Sequence, residues 1–134
     1  MRPLNKRLKG DNLLNAMDLI EELQSVGAEI DEYGCVTLYH RTDDNSAIKI
    51  LMTGMMIARE DGIFFSTKET GYNDGYGGTV LAFSIPIEKL TLDYIFENEA
   101  HVKIELGNAR CLDVAGYLLG SHVAEKEAEY EVEL

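Results

Sequence analysis

The stretch Cys35–Thr42, CVTLYHRT, constrains the fold more than any other part of the chain. Successive side chains of a strand point to opposite faces. Val36, Leu38 and His40 therefore share one face, and Cys35, Thr37 and Tyr39 share the other. The apolar face ends in an imidazole, and Arg41, Thr42 and the turn-rich Asp43-Asp44-Asn45-Ser46 follow at once. A core strand that ends in His-Arg-Thr is either an ordinary strand end with a hydrogen-bonded histidine or one edge of a site. The company this segment keeps along the chain bears on that choice.

Before it, Asp11 is placed to cap a helix running to about Val26, with Leu13, Ala16, Met17, Ile20 and Leu23 at helical spacing and Gly27 at its end. After it, Asp44–Thr53 reads as a short second helix, with an Asp or Ser cap ahead of Ala47 and Gly54 as its stop. Met55–Ile57 is a short apolar piece, Arg59–Gly62 a turn, and Ile63–Thr67 (IFFST) a strand ending in two hydroxyls. Glu69–Gly78 (ETGYNDGYGG) is an irregular loop with Tyr72 and Tyr76 in it, whose glycines suit close backbone approach to a ligand and equally mark a plain flexible loop. Thr79–Ile85 is a buried strand closed by Pro86, and Ile87–Leu90 is one helical turn. Thr91–Phe96 is apolar but aperiodic. Val102, Ile104 and Leu106 alternate with His101, Lys103 and Glu105 as a half-buried strand. For Ala109–Leu119 periodicity leaves strand and helix both open. Glu127–Leu134 alternates strictly, with glutamates on one face, as a charged edge strand would. Strands interspersed with two helices give an α+β class.

The length of 134 residues suits a single domain over residues 11–134, preceded by a basic arm at 1–10 that carries Arg2, Lys6, Arg7 and Lys9. Opposed to 12 bases stand 24 acids, a net charge of −12. Affinity for a phosphate backbone comes mainly from Lys and Arg, so nucleic acid is an unlikely partner. No apolar run approaches the ~20 residues of a membrane span, and no apolar signal core follows the basic arm. Cys35 and Cys111 are isolated thiols, which fits a reduced, cytoplasmic setting. His40, His101 and His122 lack zinc-like spacing. The glycine loop lacks the Gly-Lys-Ser/Thr of a phosphate loop and the G-x-G-x-x-G of a dinucleotide fold, and no G-x-S-x-G elbow exists.

What remains is a strand-end histidine, a strand-end Ser-Thr pair, a Gly/Tyr loop and the carboxylates of Glu97 and Glu99 opening a strand. Such a set suits chemistry in which positive charge develops on a sugar carbon. A carboxylate stabilises the oxocarbenium-like transition state, a tyrosine stacks on a planar leaving group, and strand-end donors hold the substrate. Each member also has a structural reading. Glutamates can be solvated turn residues, Ser66 and Thr67 can terminate a strand by local bonds, and the tyrosines can cover the core.

The order LYHRT (Leu38–Thr42), a helix ending at Gly54, GIFFST (Gly62–Thr67), YGGTVLAFSIP (Tyr76–Pro86) and ENEAHVKI (Glu97–Ile104) resembles the ADP-ribosyltransferase superfamily over about half the chain. More closely, it is similar to small bacterial and phage proteins of that type. The resemblance implies an ADP-ribosyltransferase-like split, antiparallel-rich sheet core with an N-terminal helix and a short second helix. It also implies NAD as substrate, cleavage of the nicotinamide–ribose bond, and transfer of ADP-ribose to a macromolecular acceptor, protein rather than nucleic acid, or to water.

One branch of that superfamily is marked by His, Tyr and Glu. By resemblance His40 would hold the adenosine ribose, Tyr76 (or Tyr72) would stack on nicotinamide, and Glu99 would stabilise the ribose cation. Arg41 stands where that branch usually has glycine. A second branch is marked by Arg, Ser and Glu, for which Arg41, Ser66-Thr67 and Glu97-x-Glu99 would serve, although Lys68 replaces the expected second serine. The His-Tyr-Glu assignment is preferred, because LYH aligns more naturally with histidine in the first position. Thr42 completes the expected NAD-binding set. The alternative from another class is a catalytically weak binding or inhibitor module acting through its acidic surface. The related RNA 2′-phosphotransferase chemistry ranks below both, for want of a basic patch.

Overall fold

In the computed structural model, residues 16–58, 62–69, 77–106 and 109–123 are described. They form an α+β fold with two helices, α1 (residues 16–25) and α2 (Asp44–Thr53). The strands are β1 (Cys35–Thr42), β2 (Met55–Ile57), β3 (Gly62–Ser66), β4 (Thr79–Pro86), β5 (Thr91–Phe96), β6 (Glu99–Glu105), β7 (Cys111–Asp113) and β8 (Leu118–Val123). Six of them make one antiparallel sheet in the order β5-β6-β3-β1-β4-β8, and β2 and β7 pair by themselves. Among the described residues no helix is long and apolar enough to cross a membrane.

The alternation in Cys35–Thr42 does what its pattern predicts. Val36 and Leu38 are fully buried, and they lie opposite Ile85 and Phe83 of β4, which are buried too. The same core takes Ile63 and Phe65 from β3, Ala100, Val102 and Ile104 from β6, Leu19, Leu23 and Val26 from α1 and the turn after it, and Ala47 and Ile50 from α2. Removing a buried side chain of this size from water is worth ~1.5–3 kcal/mol, so this one cluster carries most of the favourable free energy. Of the stripe expected on α1, Leu23 is buried and Ala16 and Ile20 pack against the core, but Met17 is 51% exposed and Leu19 is buried instead. Asp11 and Leu13, the expected basic arm and the expected strand Glu127–Leu134 lie outside the described residues.

Helix α2 has both of its expected punctuation marks. The Asp43 carboxylate accepts from the Ser46 N–H at 2.8 Å. That bond, and the one from the Ser46 hydroxyl, hold the Asp43 carboxyl below its ordinary range. At the other end Gly54 is left-handed (φ 73°), which ends the helix.

Thr91–Phe96 is a strand despite its aperiodic pattern. A bulge between Leu92 and Tyr94 shifts the phase, so Leu92 pairs with Val102 on the core side and Tyr94 with His101 on the other. The undecided stretch Ala109–Leu119 holds β7, a turn over Ala115–Tyr117 and the start of β8.

The central seam of the sheet positions the site. Eight residue pairs join β1 to β4, but a single pair, Tyr39↔Ser66, joins β1 to β3. Beyond it the backbones part. There the His40 side chain takes over a ladder bond, its Nδ1 donating to the Phe64 carbonyl at 2.9 Å.

Candidate active site

Cross-strand neighbours share a face, so the register Tyr39↔Ser66↔His101 sorts the predicted site residues onto two sides of the sheet. On the core side lies His40, its ring edge-on to Phe65 with centroids 6.0 Å apart. It behaves as the hydrogen-bonded histidine of a strand end. On the other side lie Arg41, Ser66 and Glu99. His40 and Glu99, both assigned to one NAD site by resemblance, therefore point to opposite faces of the sheet.

Glu99 is the first residue of β6, not part of the preceding turn, and it is 6% exposed. A carboxylate this buried needs partners. The Ser66 hydroxyl, itself fully buried, donates to Glu99 Oε2 at 2.7 Å. Nε2 of His101 lies 2.8 Å from the same oxygen, a close contact that is not an in-line hydrogen bond. The Ser66 oxygen in turn accepts the Lys68 N–H at 3.1 Å. Thr67 secures the neighbouring backbone: its hydroxyl accepts the Ala100 N–H and its own N–H donates to the Ala100 carbonyl, both at 3.0 Å. Of these bonds only the one from the Lys68 N–H to Ser66 is local; the others reach across to β6 and fasten Glu99 and Ala100 to the end of β3.

Arg41 is buried to 9% exposure on the same side of the sheet. Its Nε donates to the Gly77 carbonyl at 2.7 Å and its Nη1 to the Glu69 carbonyl at 3.2 Å. Those carbonyls flank residues 70–76 in the chain. Tyr72 and Tyr76 fall within that segment and lie outside the described residues. The close approach expected of the glycine loop is real at Gly77, but it is to protein backbone. Gly77 has φ 140°, and a Cβ there would meet the Thr42 carbonyl carbon and oxygen at 2.3 and 2.4 Å. Thr42 itself is buried at that junction.

Glu97 sits in the two-residue turn between β5 and β6 and is exposed. Among the described residues it is the one non-glycine with positive φ, 55°. Such strain is often stored beside functional groups. Tyr39, on the Glu99 side of the sheet, is part-buried. Burial, and then the carboxylates of Glu69 and Glu29, hold its phenol above the ordinary tyrosine range.

Two site neighbours went unnoticed in the sequence. His101 reads in the sequence only as the polar side of a half-buried alternation, yet it follows Glu99 by two on one strand, the spacing that puts two side chains on one face. Tyr94 stacks on the His101 ring at 4.6 Å and 9° between planes, and the bulge concealed which side it faces. Among the described residues no group of three or more His, Cys, Asp or Glu could hold a metal ion. With families, curated proteins and solved structures alike, comparison of this chain finds no match.

Proposed function

We propose that this chain is an ADP-ribosyltransferase-like protein that takes NAD as substrate, cleaves the nicotinamide–ribose bond, and passes ADP-ribose to a macromolecular acceptor or to water. The observation that carries the reading is the buried Glu99 carboxylate held by the buried Ser66 hydroxyl. The bond from the ribose C1′ to the nicotinamide nitrogen breaks with its electron pair going to the ring, which leaves neutral. Positive charge develops over C1′ and the ring oxygen, and Glu99 supplies the opposing charge. An acceptor oxygen or nitrogen then bonds to C1′ and gives up its proton. A charge fixed in place before the reaction needs no reorganisation in the transition state, where such terms are strongest.

Within this reading the Arg-Ser-Glu assignment replaces the His-Tyr-Glu one. Arg41, Ser66 and Glu99 share a side of the sheet, whereas His40 is committed to the Phe64 carbonyl on the other. The antiparallel sheet, opened at a one-pair seam between β1 and β3, is compatible with the split core of that superfamily.

The test is calorimetric titration with NAD followed by a nicotinamide-release assay. Glu99→Gln is expected to lower turnover about 100- to 1000-fold, equivalent to ~3–4 kcal/mol of transition-state stabilisation, with little change in NAD affinity. Glu97→Gln is the matched control. Equal release by wild type and Glu99→Gln would remove Glu99 from the mechanism. No NAD binding at millimolar concentration would favour the binding-module alternative.

A further inference from the structure

Glu99 has a second neighbour that the proposed reaction does not yet use. Ser66 and His101 are directly opposed across β3 and β6, and both reach the same oxygen, Oε2, at 2.7 and 2.8 Å. The His101 Nε2 is packed against the carboxylate too closely for a water to lie between them, although the contact is not an in-line hydrogen bond. On its other flank the imidazole lies flat on Tyr94, its cross-strand partner on β5. Its side chain is 12% exposed. The next cation along this face, Lys103, is 3.5 Å from Glu105 and 5.7 Å from the centre of the Phe64 ring, and its ammonium is thus directed to other partners.

We infer that His101, held flat by Tyr94, is a positioning residue that fixes the Glu99 carboxylate for the reaction. The inference rests on the reading of Glu99 given above. One donor on a carboxylate oxygen leaves the group able to swing about it. A donor from one strand and a buried ring nitrogen from the next, both against the same oxygen and set by the sheet register, leave much less freedom. Geometry held this way matters most at the transition state, where a small misplacement of the charge is felt fully in rate. A ring stacked on a neighbour with its Nε2 at 2.8 Å from Glu99 is restrained on both sides. Tyr94 acts on the carboxylate only through that ring.

The experiment compares His101→Ala and His101→Gln, the second of which places an N–H donor near the position of Nε2. At saturating NAD, His101→Ala is expected to lower kcat 10- to 100-fold with KM for NAD within threefold, and His101→Gln to recover most of the loss. Undiminished kcat in His101→Ala, a change confined to KM, or no recovery in a folded His101→Gln would overturn the assignment. If the wild type releases no nicotinamide, the proposed reaction fails separately. The hold on Glu99 is then read from thermal unfolding of Glu99→Gln, His101→Ala and the double variant. Tm losses that do not add support the contact, and losses that add refute it.

Discussion

Replacing Ser66 by alanine removes one oxygen atom and takes one hydrogen-bond partner from each of two groups. The buried Glu99 carboxylate loses the donor 2.7 Å from Oε2, and the Lys68 N–H loses its acceptor at 3.1 Å. A hydrogen bond to a charged group contributes ~1.5–3 kcal/mol, and a neutral backbone donor deprived of its acceptor about 1 kcal/mol more. Because Ser66 is fully buried, water cannot replace the lost hydroxyl without repacking. The expected loss is therefore about 2.5–4 kcal/mol. In a chain of 134 residues 1 kcal/mol moves Tm by roughly 3–6 °C, so Ser66→Ala is expected to unfold ~10–20 °C earlier in a calorimetric scan. The Thr79 hydroxyl donates to Asp44 at a comparable 2.6 Å, but exposed to solvent. Thr79→Val is thus the control, expected to lose no more than about 1 kcal/mol. If Ser66→Ala unfolds within 5 °C (about 1 kcal/mol) of the wild type, the carboxylate does not depend on this donor, and the argument for a charge held in advance of substrate fails.

Gly77→Ala places a methyl group within 2.5 Å of the Thr42 carbonyl, so the segment carrying Gly77 must shift; loss of several kcal/mol in chemical denaturation is expected (~3 kcal/mol or more), and an unchanged midpoint would refute the close approach. Glu97→Asn relieves a positive φ in the β5–β6 turn and is expected to raise stability by about 0.5–1 kcal/mol in the same assay. Asp43 has a folded-state pKa below its ordinary value of 3.8, so its contribution is complete above that value and is lost as pH falls through the folded-state pKa. Asp43→Asn keeps a capping oxygen but no titration. The stability difference between wild type and this variant should accordingly shrink on acidification below about pH 4, measured by unfolding across the acid limb.

The parts of the fold legible in the sequence are those in which one local pattern decides. Strand β1 announces itself by alternation, α2 by its Asp43 cap and Gly54 stop, and the turn after Pro86 by its position between two apolar runs. Helix α1 shows how a pattern can be right in phase and wrong at its edge: Ala16, Ile20 and Leu23 face the core as expected, and only the packing of α1 selects Leu19 over Met17 for burial. In β5 the bulge breaks the period of two, and the strand reads as featureless. The site was harder still. Ser66 and Glu99 are recognisable as residue types, but the bond between them depends on the register of β3 against β6, set by the whole sheet. His40 and Arg41 are adjacent in sequence, and the parity of one strand sends them to opposite sides. The preference between two site patterns turned on that single step.

The seam between β1 and β3 divides the sheet into two triplets, β8-β4-β1 and β3-β6-β5, each laddered internally along its strands. Across the boundary run one backbone pair, the His40 side-chain bond and edge-on ring contacts such as Phe65 on Phe83 at 5.3 Å. Cooperative opening units tend to follow such boundaries, so slow amide exchange belongs inside each triplet and faster exchange along the join. Ser66, Glu99, His101 and Tyr94 all belong to one triplet, and Arg41 to the other. A rocking of the triplets against each other would therefore widen or narrow the gap between Arg41 and the carboxylate and leave the carboxylate's own cradle intact.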